Sequence, residues 1–313
     1  MYATAACILL LITSATFYTY ISFSTKINFS VPNTSHNDNK VEMHLTDGTI
    51  VSPDSIFQRL PNQGNCEVLF NDSVIIYTMV PGDQAEPQKQ SFNYISTTGG
   101  SQYMVQLPDG SKVWLNAASS IRIPVSFCSS HRNVEITGEA YFDIKSIYSG
   151  ATKKPFIIDV TTTTNLHQQV KVYGTKFNIN AYCDEPFIKT TLLEGCIAVA
   201  GGRNSMILYP GQEVRVGEES IRILQQPAMD EVIAWKDDFF EFSNASPEHV
   251  LREIGRWYGK EVVFKGNTSK RINLTAPRSI SFQSLLFVIR YQVDDCMLIQ
   301  AGNCILLVKK YKK

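Results

Sequence analysis

From Val41 to about Pro227 the chain repeats one pattern. Short β-branched, aromatic or alternating runs are each closed by Gly, Pro, Asn, Asp or Ser. The runs lie at 68–70, 74–79, 103–107, 113–116, 134–136, 141–144, 156–160, 170–172, 177–181, 190–193, 197–200 and 214–216. No helical period interrupts them, so the spacing predicts an all-β domain, a sandwich or a solenoid-like stack, with turns roughly every ten residues.

One hairpin can be predicted in register. In LPDGSKVWLN, Pro108 and Asp109 suit the centre of a type I turn, and Gly110 suits the left-handed residue of a G1 bulge. A three-residue loop sets Leu107 against Ser111, Val105 against Val113, Met104 against Trp114 and Tyr103 against Leu115. A two-residue Asp-Gly loop would set Gln106 against Val113 and mix the core and solvent faces. The three-residue loop is therefore expected, and backbone geometry accounts for Asp109 and Gly110 without a catalytic role.

Past residue 234 the pattern changes. Phe239 to Phe242 read as a strand; Ser246 caps a helix with Pro247 at its first position, and Val250, Leu251, Ile254, Trp257 and Tyr258 supply an apolar face. Gly255 lies inside that helix, where it costs about 1 kcal/mol relative to Ala. Strands at 261–264 and 271–276 follow. A second helix starts at Ser281, with an Ile280–Leu285 staple and Phe282, Leu286 and Ile289 on its buried side. A closing hairpin pairs 296–299 with 304–308. The order β-α-β-β-α-β-β predicts a small α+β domain at 234–313, with both helices on one sheet face. Helical spacing makes Trp257 and Tyr258 core residues.

The amino terminus is different again. Residues 1–25 carry no charged side chain before Lys26 and, as a helix, are long enough to cross a bilayer. A single N-terminal transmembrane anchor is expected here, or else a cleaved signal peptide. Lys26 and Lys40 would then follow the span, against the usual bias of basic residues to the cytoplasmic side. Residues 26–42 read as a polar tether, and 43–228 as the β-rich region.

Charge is balanced, with 29 Lys and Arg against 29 Asp and Glu, which argues against nucleic acid as a direct partner. The seven cysteines form no C-x-x-C pair and lie at no metal-ligand spacing to His, so no metal and no cofactor is expected. Glu135, Glu139 and Asp143 alternate with Ile136, Ala140, Phe142 and Ile144 and read as the outward row of an exposed strand. Gly99–Gly100, Gly201–Gly202 and Pro210–Gly211 read as turns. No nucleophile elbow, triad or phosphate-binding glycine spacing is present, so no catalytic residue is assigned and the chain is not expected to be an enzyme.

The run TTGGSQYMVQLPDGSKVWLNAASSIRIPVSF, followed by RNVEITGEAYFDI, KPFIIDV, VKVYGTKFNINAY, KTTLLEGCIAV and LYPGQEV, resembles the successive motifs of FecR-family transmembrane anti-sigma regulators, over about 97–216. AWKDDFFEF and VLREIGRWYGKEVVF resemble the small carboxy-terminal domain that accompanies FecR, itself similar to the short domain of secretins and TonB-dependent receptors. Carried over as structural motif positions are Pro108, Asp109, Gly110, Trp114 and Asn116; Gly138, Glu139, Tyr141 and Phe142; Gly174 and Asn178; Gly195; Pro210 and Gly211; and Trp235, Trp257 and Tyr258.

The resemblance implies an inner-membrane, single-pass signalling protein with its bulk in the periplasm. Its partners would be the signalling domain of an outer-membrane TonB-dependent transducer and, through a cytoplasmic part, an extracytoplasmic-function sigma factor. That cytoplasmic sigma-binding part is missing from this chain: either the start lies upstream of Met1, or the chain receives a signal without itself holding a sigma factor. Two other classes remain open from the residues alone. A periplasmic β-rich carbohydrate-binding module would stack sugars on Trp114, Tyr141 or Tyr182. A hydrolase would pair Glu139 with Asp143, or Asp184 with Glu185, across a cleft.

Overall fold

The computed structural model describes residues 41–52, 58–63, 66–71, 74–80, 92–124, 132–202, 204–218, 220–266 and 268–310. The expected membrane segment and most of the tether lie outside them, although Val41–His44 is already a strand. Among the described residues no helix is long and apolar enough to cross a membrane. Residues His36–Lys313 form one compact unit.

Two large sheets share one strand. The first runs, neighbour to neighbour, through Ile50–Val51, Val41–His44, Phe92–Thr97, Ser120–Pro124, the first half of Arg132–Asp143, Phe156–Thr161, His167–Val172, Ile197–Gly201 and Asn204–Leu208. The second runs through Gln58–Gln63, Cys66–Asn71, Val74–Met79, Tyr103–Gln106, Lys112–Leu115, the second half of Arg132–Asp143, Lys176–Ala181, Ile188–Glu194, Gln212–Val216 and Ile221–Gln225. From Phe156 onward the chain lays two strands on one sheet, crosses, and lays two on the other. The result is a sandwich wound as a coil. One apolar core joins the sheets, with Met43, Ile95, Ile121 and Val170 from the first and Phe70, Val105, Phe142 and Phe177 from the second. Phe142 stacks on Phe177, with centroids 4.9 Å apart.

The crossing point is Gly138. Up to Thr137 the shared strand pairs with Ser120–Pro124 and, in parallel, with Phe156–Thr161; from Gly138 on it pairs with Lys176–Ala181, and from Ala140 also with Lys112–Leu115. Gly138 has φ +77°, and a Cβ there would lie 2.5 Å from Ser119 Oγ and 2.8 Å from the Ala118 carbonyl oxygen. Only glycine turns the strand from one sheet to the other at this point.

The predicted hairpin forms in the expected register, with Tyr103 opposite Leu115, Met104 opposite Trp114 and Val105 opposite Val113. Leu107 N donates to Ser111 O at 2.8 Å, and Gly110 is left-handed at φ +77°. Asp109 has a further part to play. It accepts from Ser111 N at 2.8 Å and from Arg132 Nη1 at 3.0 Å, and both side chains of that ion pair are almost fully buried. The outward acidic row is corrected at one position. Glu135 is exposed and paired with Arg122, but Glu139 is buried, because the carboxy-terminal part covers the outer face of the strand's second half.

Strands at Phe92–Thr97, Ser120–Pro124, Asn204–Leu208 and Ile221–Gln225 add to the expected set. So does a six-residue helix, α1 (Met229–Ala234), which has neither a side-chain cap nor a buried residue and so leaves no sequence signal. Beyond a 3₁₀ turn at Trp235–Asp237, the order β-α-β-β-α-β-β holds, with α2 at Pro247–Tyr258 and α3 at Phe282–Gln292. Ser246 Oγ and Ser281 Oγ cap the two helices as expected.

The single small sheet does not form. Phe239–Ala245 pairs with Ile272–Pro277, while Glu261–Lys265, Cys304–Lys309 and Cys296–Ala301 make a separate three-stranded sheet. The short link at Gly259 and Lys260 turns the chain directly out of α2, and Glu261 N bonds Asn303 O at 3.0 Å, committing that strand to the closing hairpin.

A Cβ on Gly255 would lie 2.6 Å from Val262 Cγ2 and 2.8 Å from the Lys260 carbonyl oxygen. Helix propensity alone predicts that Gly255→Ala stabilises by about 1 kcal/mol. The close approach reverses the sign. Denaturant unfolding of G255A is expected to show a loss of roughly 1–3 kcal/mol.

Candidate functional site

The carboxy-terminal part meets the outer face of the second sheet at a buried polar junction. The β body supplies Asn116, Glu139 and Asn178, which stand on three adjacent strands or their ends. Glu139 accepts from Asn116 Nδ2 at 2.8 Å and from Asn178 Nδ2 at 2.9 Å, one bond to each carboxyl oxygen. Neither amide can turn round freely. Asn116 Oδ1 accepts from Ala117 N at 2.8 Å and Arg278 Nη1 at 2.7 Å, and Asn178 Oδ1 accepts from Trp235 Nε1 at 3.3 Å.

Arg278 and Trp235 come from the other part, and both are buried. Arg278 also donates from Nη2 to Glu253 Oε1 at 3.1 Å, and its guanidinium lies 4.5 Å from the Trp257 ring centroid and 5.1 Å from that of Phe240. Trp257 Nε1 donates to Arg278 O at 3.1 Å, fixing the backbone beneath the guanidinium. Tyr258 packs in the same core and donates to Ile280 O.

A second set of contacts flanks the first. Tyr182 OH donates to Ala117 O at 2.6 Å, and the Arg256 guanidinium sits 4.0 Å from the Tyr182 centroid. Arg256 grips both oxygens of Asp184 at 2.8 Å and lies 3.6 Å from Glu185. Gly99 closes the junction, because a Cβ there would stand 2.9 Å from Gly259 Cα and 3.0 Å from Arg256 O. Backbone meets backbone at that point.

The electrostatics follow from burial. Burial, and then the nearby Glu253 carboxylate, raise the Glu139 pKa, while the bonds from Asn178 and Asn116 oppose the rise. Glu185 goes the other way. Burial acts to raise it, but His249, 3.7 Å away, and the charges of Lys189 and Arg256 together hold its carboxyl well below the ordinary range.

Of the motif positions inferred from sequence, the structure brings Asn116, Glu139, Asn178 and Trp235 into contact, with Trp257 behind Arg278. Trp114 and Tyr141 sit beside them, edge to face at 5.6 Å, with Lys236 over both rings. Pro108, Asp109 and Gly110 form the hairpin loop, and Phe142 lies in the core. Gly174 packs against Ser146 and Gly195 against Thr175, while Pro210 and Gly211 form a turn bonded to Leu192 O. Sequence reasoning missed Arg278, Arg256 and Gly99. Arg278 is a lone basic residue in a loop, and a Gly-Gly pair looks the same whether it turns or makes close contact.

The alternative sites do not assemble. Tyr141 and Tyr182 are buried, and Trp114, Tyr141 and Tyr182 are faced by Lys236 or Arg256 of the same chain rather than lining an open groove. Asp184 and Glu185 are both turned onto Arg256. A hollow of about 260 Å³ is lined by Leu166, Glu185, Phe187 and Glu218 among others, and none of the inferred motif residues borders it.

Fold and junction together define a double-sheet β domain clamped to a small α+β domain. Residues 93–198 match the family described as FecR protein, so the β body carries a FecR domain. Two crystal structures of a candidate anti-sigma factor from Parabacteroides distasonis, at 2.50 and 1.65 Å resolution, resemble it at 27% identity and TM-score 0.60. They cover 70% of this chain and 100% and 99% of their own. No curated protein matches the sequence.

Two outcomes test the junction. Glu139 has an ordinary pKa of about 4.3 when unfolded and a higher one when folded, so between those values the folded state binds more protons and this carboxyl's contribution to stability falls as pH rises. Glu139→Gln is expected to remove that slope in urea titrations across pH, and to cost about 1–3 kcal/mol by turning an amide NH₂ toward a fixed donor. Glu185 acts below that window, its contribution being lost as pH drops under about 4.3. Arg278→Ala, which removes the guanidinium from between Asn116 and Glu253, is expected to cost roughly 3–5 kcal/mol. Hydrogen exchange should then quicken across 272–307 while the strands around Phe142 and Phe177 stay protected.

Proposed function

We propose that this chain is the signal-receiving part of a transmembrane anti-sigma factor, relaying the state of an outer-membrane TonB-dependent transducer to an extracytoplasmic-function sigma factor. The observation that carries the reading is the FecR domain at 93–198, within a chain that resembles candidate anti-sigma structures over 70% of its length. An anti-sigma role needs a body that binds and transmits, and the buried junction suits it. A contact made on the carboxy-terminal part is felt directly by Asn116, Glu139 and Asn178 of the FecR domain. On this reading the body lies in the periplasm, residues 1–25 anchor it in the inner membrane, and the sigma factor is held on the cytoplasmic side.

The test is binding of the His36–Lys313 unit to purified signalling domains of TonB-dependent transducers, measured by calorimetry. One-to-one binding to one of them is the expected result. A folded unit that binds none of them would overturn the transducer reading.

A further inference from the structure

Among the described residues the sandwich has four edge strands, and three of them carry a guard against pairing with a further strand. Ile50–Val51 is only two residues long. Gln58–Gln63 holds Arg59 and a proline at position 61, and its register breaks between Leu60 and Gln63. Ile221–Gln225 carries Arg222 beside its centre. Short length, charge, proline and bulges are the devices that keep sheet edges apart. The three-stranded sheet of the carboxy-terminal part is guarded as well: Glu261–Lys265 has a charge at either end, and on Cys296–Ala301 the Leu298 carbonyl accepts from Arg290 Nε at 3.0 Å.

Asn204–Leu208 has none of these devices. Its sequence NSMIL is uncharged and lacks proline, and its register against Ile197–Gly201 is unbroken over five residues. No described strand pairs with its other side. Alternate residues of such a strand leave N–H and C=O groups without a ladder partner. The apolar side chains along that edge are bare too, with Ile207 56% exposed and Tyr209 60%. Leu208 is buried in the core and Met206 packs against it, on the other face of the strand.

The missing guard indicates what covers this edge. Guards act first against a second copy of the same strand, which is present at whatever concentration the protein itself reaches. This strand is moreover its own complement. In an antiparallel pair centred on Met206, Asn204 lies opposite Leu208 of the partner subunit and Ser205 lies opposite Ile207 of the partner subunit. That register pairs the whole strand and sets core side against core side and outer side against outer side. No like charges meet, because the strand has none. The two Ile207 side chains become diagonal neighbours across the axis on the outer face.

We infer that Asn204–Leu208 is a homodimer interface, at which two copies of this chain pair edge to edge about a two-fold axis and join their first sheets into one. Main-chain bonds supply the pairing, and Ile207 and Tyr209 lose exposed surface. The contact is small, so a dissociation constant in the micromolar range is expected. The pairing is independent of the transducer reading, and it leaves the Arg278 junction, on the outer face of the second sheet, in place.

The test is sedimentation velocity of the full chain in density-matched detergent, from about 1 to about 100 μM. A monomer–dimer equilibrium is the expected result. Ile207→Lys and Ile207→Glu should each raise the dimer dissociation constant by about tenfold or more, since each sets like charges across the axis. The two variants, carrying different affinity tags, should pair with one another when mixed, because opposite charges then meet. Leu224→Lys, on the edge that Arg222 already guards, should change the constant by no more than about twofold. Circular dichroism and the unfolding midpoint check that each variant is folded. Should the Ile207 variants unfold, a photo-crosslinking residue at position 207 should yield an adduct of twice the chain mass, and one at position 224 should not. A wild-type chain that stays monomeric throughout overturns the interface. So does a dimer that persists unchanged in Ile207→Lys, as one held through residues 1–25 would, or one lost equally in Leu224→Lys. A monomeric chain whose binding to a transducer signalling domain is abolished by Ile207→Lys would assign the edge to that partner and overturn the homodimer.

Discussion

A guanidinium withdrawn from water must find acceptors and a polarisable surface, or it stays out. Arg278 finds Asn116 in the β body, Glu253 on α2, and the faces of Trp257 and Phe240. Because one of those acceptors belongs to the other part of the molecule, both terminal nitrogens are bonded only when the two parts are together. Its bond fixes the Asn116 amide, which aims Nδ2 at Glu139, which in turn receives Asn178 and, through it, Trp235. Each donor along that path has one orientation. The path is therefore specific in a way that apolar contact alone would not be.

The FecR match ends at residue 198, but the residues that complete its polar surface lie beyond it. Trp235 and Arg278 are both outside the matched segment, and both bond to residues inside it. A FecR segment taken alone would expose Glu139 and two amides on a face that the complete chain keeps nearly dry. The folded unit is accordingly the pair of parts, joined through these bonds.

Much of this was legible in the sequence wherever period and turn chemistry decide structure. The hairpin at Pro108–Asp109–Gly110, the serine caps of α2 and α3 and the strand pattern from Phe156 to Val216 follow from local rules. What was not legible depends on what covers a face. Glu139 alternates like a surface residue and becomes buried because another part of the chain lies over it. Asp109 suits its turn, yet also meets Arg132 across the fold. Gly255 looked like a flaw in a helix and is instead the point where Val262 passes close by. Arg278 carries no periodic signal at all. Sequence periodicity reports which way a side chain points, and says nothing of what arrives on the other side.

The strand Arg132–Asp143 has a mechanical consequence. Since both sheets are hydrogen-bonded to this one continuous length of backbone, neither can slide past the other without breaking a ladder along its length. A load borne by one sheet reaches the other as shear through a covalent chain, not as slippage across an oily interface. The sandwich should accordingly yield as a single stiff plate, and a pull on one sheet would be felt at the far rim of the other before the core between them had begun to give.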